Sequence, residues 1–345
     1  MKCTRVGLDI AKQVFQVHGV DERGGIAVVG KRLARAKVLE YFAQLPPCVI
    51  GIEACGSAHY WARELGKLGH TVKLMAAQYV IPYRKRGKND ANDAEAICEA
   101  VGRPNMRFVA VKSEEQQAVL MVHRARSLAV ASRTALANQI RGLLGEFGVV
   151  IPRGITRLRS QLPQVLEDAE NGLPMLVREV LADLREQFHA LDQRMRQYDL
   201  QIRELAQESE PARRLMQIES IGPMTATAIV AGMGDARVFR SGRNYAASLG
   251  LVPRQDSSGG KTRLGPITKR GDRYLRTLLI HGARAYLRTL DRRADEKAAW
   301  ARQLKERRHV NVAAVALAAK HARIAWAMLA RGTDYRAVPL QQALA

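Results

Sequence analysis

An apolar side chain recurs at alternating steps of four and three residues along one stretch of the chain, residues 177–205. The positions are Val177, Leu181, Leu184, Phe188, Leu191, Met195, Tyr198, Ile202 and Leu205. Such a repeat, kept for about four heptads, is typical of a coiled-coil seam and requires one long helix with a helical partner. The partner is either the helix predicted over residues 113–147, in an intramolecular hairpin, or a second chain.

The N-terminal part alternates between short apolar segments and helical ones. We expect strands at residues 4–10, 14–20 and 26–32, joined by turn residues between the second and third. Then follow a helix over 36–45, a strand over 48–53, a helix over 57–69, a strand over 71–75 and a helix over 90–101. This order predicts an α/β domain over residues 1–111, a mixed sheet covered by helices.

Carboxylates lie near the ends of several of these elements. Asp9 lies near the end of the first strand, Glu53 ends the fourth, and Asp90 and Asp93 lie three residues apart on the last helix. The spacing of three puts Asp90 and Asp93 on one helix face. A carboxylate on an apolar strand must be neutralised by another segment or by a metal ion. We therefore expect Asp9, Glu53, Asp90 and Asp93 to converge.

The chain is strongly basic, with a formal net charge of +22 and a pI of about 10.4. From Arg237 onward there are 23 Lys and Arg against 7 Asp and Glu, a net +16. This excess indicates a polyanionic partner such as nucleic acid, although a merely solvated basic surface is the alternative. No signal segment and no apolar run of ~18 residues is apparent, which predicts a cytoplasmic protein without membrane contact. With DNA as partner, the protein is expected to be associated with the nucleoid.

The C-terminal third is predicted to be a separate helical region. A tight turn at Ser220-Ile221-Gly222 between two helices is typical of a helix-hairpin-helix, whose amides can hold a phosphate. On a helix beginning near Gly271, four arginines share one side, and Leu275, Leu279 and Tyr286 share another. Those arginines are Arg273, Arg276, Arg284 and Arg288. The candidate nucleic-acid-binding residues are Arg254, Lys261, Lys269, Arg270, Arg273, Arg276 and Arg284.

The strand and helix order of residues 1–111, with its carboxylates, resembles the RNase H-like fold of the RuvC type. That resemblance implies acids that hold two divalent metal ions beside a scissile phosphate. Actin-like sugar kinases also begin with a strand carrying Gly7-Leu8-Asp9. They need a second lobe with Gly-rich phosphate loops, which the sequence beyond residue 111 does not offer.

Several features taken together resemble one family. They are Asp90-Ala91-Asn92-Asp93, the long seam, the Ser220-Ile221-Gly222 turn, and Gly250-Leu251-Val252-Pro253 with Ser258-Gly259. It is the DEDD-type transposases of bacterial insertion sequences, related to the Piv invertases and known as bridge-RNA-guided recombinases. The resemblance implies three regions: a RuvC-like catalytic domain over 1–111, a coiled coil over 112–210 and a basic transposase domain over 211–345.

The resemblance also implies a mechanism. Asp9, Glu53, Asp90 and Asp93 would be catalytic and hold two Mg²⁺ ions, and Ser258 would become covalently linked to DNA. Ser257 is the neighbouring candidate for the nucleophile. The implied partners are donor and target DNA, a guide RNA, and further copies of the chain in a dimer or tetramer assembled through the coiled coil.

Two other functions stay open. The first is a metal-dependent nuclease of the Holliday-junction-resolvase kind, in which water attacks and Ser258 is only a loop residue. The second is a non-catalytic nucleic-acid scaffold, in which the acids form a structural ion network. Covalent attachment of DNA to the protein separates the transposase from both.

Overall fold

The structure is a computed structural model that describes residues 3–85 and 89–337. The chain forms two compact units. The first comprises the residues up to Glu114 together with Met233–Arg240, and the second comprises Glu115–Gly232 and the residues from Ser241 onward. The sequence-based division into three regions stays a prediction. Its second and third regions contribute mainly to the same compact unit, and residues 338–345 lie outside the described part.

The first unit contains a six-stranded mixed sheet covered by helices. Its elements are β1 (Arg5–Asp9), β2 (Val14–Val20), β3 (Ile26–Ala34), α1 (Val38–Ala43), β4 (Val49–Glu53), α2 (Ala58–Lys67), β5 (Thr71–Met75), α3 (Ala77–Val80), α4 (Asp90–Val101) and β6 (Phe108–Val109). The strand order is β3-β2-β1-β4-β5-β6. Strand β1 is antiparallel to β2 and parallel to β4, which is parallel to β5. The predicted mixed sheet is thus confirmed, and it is compatible with an RNase H-like domain.

Helix α4 lies directly on the central strand β1. A β-carbon at Gly7 would overlap the backbone of Ala94 and Cys98, so only glycine permits this approach. Val6 and Leu8 are fully buried in the same strand, and the apolar character of such strands follows from their burial on both faces. The close packing fixes the start of α4 relative to the end of β1.

The second unit is mostly helical. Its elements are α5 (Glu114–Gly145, whose first residue belongs to the first unit), α6 (Ile155–Glu167), α7 (Met175–Glu208), α8 (Glu210–Met216), α9 (Pro223–Met233, whose last residue belongs to the first unit), α10 (Gly242–Ser248), β7 (Pro253–Gln255), β8 (Leu264–Ile267), α11 (Arg273–Arg288), α12 (Glu296–Arg307) and α13 (Val310–Arg331). The proline, glycine and arginine residues of the stretch 151–164 predict an irregular connection, but this prediction is wrong: the stretch contains most of α6. Pro163 lies inside this helix.

The predicted seam lies on α7 and packs within the chain. Leu181 and Phe188 are buried in one core cluster with Ile140 of α5 and Leu158 of α6. The side chains of Leu184 and Leu191 pack against the same cluster. The sequence left two alternatives for the partner of the seam, a helix of the same chain or a second chain. For this part of the seam, the described structure shows packing within the same chain.

A buried carboxylate on α7 joins helices α5, α6 and α7. Asp192 on α7 is 4% exposed and receives Arg133 of α5 at 2.7 Å and Arg159 of α6 at 2.5 Å. Burial alone would raise the pKa of Asp192, but the hydrogen bonds from both arginines outweigh it and lower that pKa. A second pair, Arg126 with Asp199 at 2.6 Å, shows that α5 and α7 run antiparallel.

In the described part of the chain, one helix, α13, is long and apolar enough to cross a membrane by length and composition alone. Leu317, Ala318 and Ala322 in this helix are fully buried. The helix packs against α10, α11 and α12. Core helices of soluble proteins meet the same criteria, and one face of α13 is buried within the second unit.

Candidate active site

The sheet brings Asp9 and Glu53 to the same edge. They are the last residues of β1 and β4, which are adjacent and parallel with Leu8 paired to Ile52. Asp90 and Asp93 lie in the first turn of α4, which begins with the Asn89 side chain accepting the Asn92 N–H at 2.7 Å. The positive end of the helix dipole favours acids in that turn.

The four predicted carboxylates interact electrostatically. Burial raises the pKa of Asp9 to about 6, and the charges of Asp93, Asp90 and Glu53 each add to that rise. The guanidinium of Arg84 acts in the opposite direction. Asp9 thus lies within electrostatic reach of the three other acids that the sequence singled out. Their surplus negative charge is what a bound cation would neutralise.

Arg84 is a member of this site that the sequence analysis missed. Its Nε lies 2.6 Å from Oδ1 of Asp93. Both atoms are buried, and the contact lacks the alignment of a hydrogen bond. The only sequence signal was that Arg84 begins a short basic stretch before the acidic helix. Arg84 therefore partly compensates the acidic cluster through an ion pair.

The donor set suits a divalent metal ion, because hard cations such as Mg²⁺ are held by carboxylate oxygens. Within residues 3–85 and 89–337, no three Asp, Glu, His or Cys side chains lie close enough to hold one ion. The ion pair between Arg84 and Asp93 uses one of the four carboxylates. The residues thus suit a metal ion because they are carboxylates and because a cation would relieve their mutual repulsion. In the described structure, the ion pair with Arg84 relieves part of that repulsion instead.

Ser258 lies at the tip of a β-hairpin in the second unit. Strands β7 and β8 pair antiparallel, and a bridge between Ser258 and Lys261 extends the pairing. Gly259 and Gly260, with φ of 56° and 74°, form the two-residue turn. Positive φ at both central residues is the type I′ geometry, which favours glycine. Residues 253–266 are all exposed, so the hairpin projects its tip into solvent.

The two neighbouring serines differ in their hydrogen bonds. The Ser257 Oγ accepts the N–H of Arg263 at 3.2 Å and the side-chain amide of Gln255 at 3.0 Å. Among the described residues, the Ser258 Oγ has no hydrogen-bond partner. Ser257 therefore stabilises the hairpin, whereas the hydroxyl of Ser258 is available to a ligand.

The candidate nucleic-acid-binding residues are exposed with one exception. Arg254, Lys261, Lys269, Arg270, Arg273 and Arg284 are exposed on the hairpin, at its base or on α11. Arg276 is 9% exposed and donates from Nη1 to the carbonyls of Leu249 and Arg270. The expectation that Arg276 lies on the exposed basic side of α11 is corrected: it is on the buried face with Leu275, Leu279 and Tyr286.

The predicted helix-hairpin-helix region consists of α8, a turn and α9. Ser220 adopts a left-handed conformation with φ of 73°, and a β-carbon at Gly282 on α11 would overlap its carbonyl. The Oγ of Ser220 lies 3.4 Å from Nδ1 of the buried His321 on α13. The turn is thus packed against two core helices. Phosphate binding by its amides stays a prediction.

Two family models match the chain. A DEDD-type IS110 transposase model matches residues 6–148, which include all four acids, and a model described as the transposase IS116/IS110/IS902 family matches residues 212–299, which include Ser258.

Whole-length relatives agree with these matches. A protein of Pseudomonas aeruginosa described as a probable family 20 transposase is 53% identical over 337 residues, which cover 97% of this chain and 99% of the relative. The transposase for insertion sequence element IS1111A of Coxiella burnetii is 43% identical, covering 96% and 91%. That for IS1328 of Yersinia enterocolitica is 40% identical, covering 96% and 98%. The chain therefore belongs to the IS110/IS116/IS902 family of DEDD-type insertion-sequence transposases.

Proposed function

We propose that this transposase cuts and rejoins DNA strands with a carboxylate site at the edge of its sheet and with Ser258 as nucleophile. The observation that carries the proposal is that Asp9 and Glu53 end adjacent parallel strands, while Asp90 and Asp93 lie in the first turn of α4. The charges of Glu53, Asp90 and Asp93 also help to raise the pKa of Asp9. Acids placed together at a cost in repulsion are typical of functional sites, where a cation or substrate compensates them. Family membership supplies the reaction class, and the residue roles are the proposed part.

Asp9, Glu53, Asp90 and Asp93 would hold divalent metal, with two Mg²⁺ ions as the proposed occupants. When bound, such ions polarise the phosphate and stabilise both the attacking and the leaving oxygen. Arg84 would give up its contact with Asp93 for that carboxylate to serve as a ligand. The guanidinium then remains beside the site, where it can pair with a phosphate oxygen of the DNA.

In the proposed reaction, the Ser258 Oγ attacks a backbone phosphorus atom. The Oγ–H bond breaks as the Oγ–P bond forms, and the P–O bond to the leaving nucleoside oxygen breaks in the same exchange. The serine proton goes to solvent, and the leaving oxygen takes up a proton to become a hydroxyl. Attack by the hydroxyl of another strand on the phosphoserine reverses these changes, so that strands are rejoined without hydrolysis.

Nucleic-acid binding by the exposed basic residues is expected to be strongly salt-dependent, because each phosphate contact releases counterions. Removing Lys269, Arg270 or Arg273 singly should lower the slope of log affinity against log salt by roughly one for each lost contact. Fluorescence anisotropy with labelled duplex DNA at several salt concentrations measures the slope. Arg331→Gln at the end of α13 is a control of equal charge change outside the hairpin. Slopes that stay equal in all variants would place the binding surface elsewhere.

We also propose that a guide RNA binds this chain, since the excess of cations suits RNA as well as DNA. Protein purified from cells carrying the complete insertion sequence is expected to retain one discrete RNA species that matches non-coding sequence of the element. Ribonuclease treatment should then abolish strand exchange, and adding the transcribed RNA back should restore it. Strand exchange that survives complete RNA removal would contradict RNA guidance.

We propose that the chain forms a homo-oligomer, either a dimer or a tetramer. We also propose that it acts in the cytoplasm, associated with the nucleoid. Because part of the seam of α7 is covered within the chain, assembly through the helical hairpin would use outward apolar side chains. Met121 and Leu128 on α5, each 69% exposed, are such side chains. They lie two helical turns apart on one face, which suits contact with another helix.

A further inference from the structure

The base of the hairpin that carries Ser258 is held by a buried guanidinium. Arg276 on α11 donates from Nη1 to the carbonyl of Leu249, before the first strand, and to that of Arg270, after the second, each at 2.9 Å. One side chain thus ties both ends of the hairpin to the same helix. In the part of the chain that the structure describes, no ion pair joins Arg276 to a carboxylate.

The backbone segments whose carbonyls accept from Arg276 are in close contact with each other. Gly250 and Gly271 have φ of 68° and 73°. A β-carbon at Gly250 would overlap the backbone of Arg270, and one at Gly271 would overlap the carbonyl of Ser248. The two chain segments therefore run against each other without side chains between them. The amides of Thr268 and Lys269 add hydrogen bonds to the carbonyls of Val252 and Gly250, at 2.9 and 3.2 Å.

The closely packed base of the hairpin contrasts with its two exposed strands, β7 and β8. Ser258 lies seven positions after Leu251, so the tip lies roughly 20 Å from the base at the rise of an extended strand. Over such a length, a tilt of about 5° at the base displaces the tip by roughly 2 Å. The position of the Ser258 hydroxyl is thus set mainly where the hairpin leaves the helical core.

Burying a guanidinium is costly unless its hydrogen bonds are satisfied, and two carbonyl acceptors are modest compensation for a full charge. A purely structural contact between α11 and this loop could be made by an apolar side chain. Here a guanidinium is used instead, and it bonds both ends of the hairpin. This indicates that the placement of the two ends relative to each other matters.

We propose that Arg276 is a positioning residue that aims the hairpin and thereby Ser258 at the phosphate. This rests on the proposed role of Ser258. Arg276 contacts no reacting atom, and it acts through the carbonyls of Leu249 and Arg270. Because a displacement of about 1 Å at a reacting group can lower a rate by about 100-fold, loosening the base should slow covalent attachment far more than it weakens DNA binding.

The test compares Arg276→Met, which keeps the stem but removes the donors, with Arg276→Lys, which keeps a charge and donors on one nitrogen. At saturating DNA, Arg276→Met is expected to form the covalent protein–DNA product about 10- to 100-fold more slowly, with DNA affinity nearly unchanged. Arg276→Lys should recover part of the rate.

Arg178→Met is the matched control, since Arg178 also donates to backbone carbonyls, those of Leu166, Leu173 and Asp168, at another loop of the same unit. It should lower thermal stability without slowing the covalent step. An equal loss of rate in Arg178→Met would show that general destabilisation explains the Arg276 result and would overturn the proposal.

Hydrogen exchange gives a readout that is independent of serine chemistry. The amides of Thr268 and Lys269 should exchange faster in Arg276→Met than in wild type and should be unchanged in Arg178→Met. Unchanged exchange in Arg276→Met would overturn the proposal. A wild type that forms no covalent product would overturn the role of Ser258 instead, and the exchange rates would then still decide whether Arg276 holds the hairpin base.

Discussion

Replacing Asp9 by asparagine is expected to abolish strand exchange in Mg²⁺ while the protein remains folded. A metal ion supplies several kcal/mol of transition-state stabilisation, so the loss should be at least about 10³-fold. Asp93→Asn should behave alike. Strand exchange between labelled donor and target DNA measures the effect. Glu95→Gln is the control, because Glu95 lies on the same helix but pairs with Lys85 at 2.6 Å.

The same variant separates a metal site from a structural ion network. Because burial and the neighbouring acids raise the pKa of Asp9 to about 6, the folded state holds its proton more tightly than the unfolded state does. Metal-free wild type should therefore lose stability as the pH rises from about 4 to 6. Asp9→Asn should lack that loss and be more stable at pH 7 by about 1–2 kcal/mol, a value reduced for solvent screening of this half-buried group.

Thermal unfolding in EDTA and in Mg²⁺ measures both effects. Mg²⁺ should raise the melting temperature of wild type more at pH 7.5 than at pH 5, where protons compete for Asp9, and should have little effect on Asp9→Asn. If Asp9→Asn is less stable than wild type in EDTA at pH 7, the acids form a stabilising network, and the metal-site interpretation is wrong.

Ser258→Ala is expected to abolish recombination and to leave DNA binding intact, since the substitution removes only an unpartnered, exposed hydroxyl. Ser257→Ala should keep much of the activity. It should lower stability slightly, by about 0.5–1.5 kcal/mol, because the Oγ of Ser257 accepts hydrogen bonds from Arg263 and Gln255. Strand-exchange assays beside binding curves measure the two effects. A reversed pattern, with Ser257→Ala inactive and Ser258→Ala active, would transfer the nucleophile's role to Ser257.

Much of the N-terminal unit could be predicted from sequence because its signals are local. Short apolar strands, turn residues between them and the helix beginning at Asp90 predicted the mixed sheet. The parallel pairing of β1 and β4 then placed Asp9 and Glu53 at one edge. Arg84 could not be identified in this way, since its pairing with Asp93 depends on how the chain returns to the sheet before α4.

The second unit was harder to predict because its contacts join distant segments. A helical wheel gave Leu275, Leu279 and Tyr286 correctly as one buried side of α11. It placed Arg276 on the exposed side because charge alone indicates solvent, whereas the acceptors of Arg276 are carbonyls of another loop. Similarly, the heptad pattern of α7 predicted a helical partner but could not show which helix it is. The arginines of α5 and α6 that bind Asp192 became apparent only in the fold.

One experiment directly tests whether Ser258 becomes covalently linked to DNA. Radiolabelled donor DNA is incubated with wild type, Ser257→Ala and Ser258→Ala in Mg²⁺ and run on a denaturing gel before and after protease. We expect a slowly migrating, protease-sensitive band in wild type and Ser257→Ala, and its absence in Ser258→Ala. Cleaved DNA in Ser258→Ala, with no shifted band in any lane, would contradict covalent attachment through Ser258 and indicate a nuclease in which water attacks.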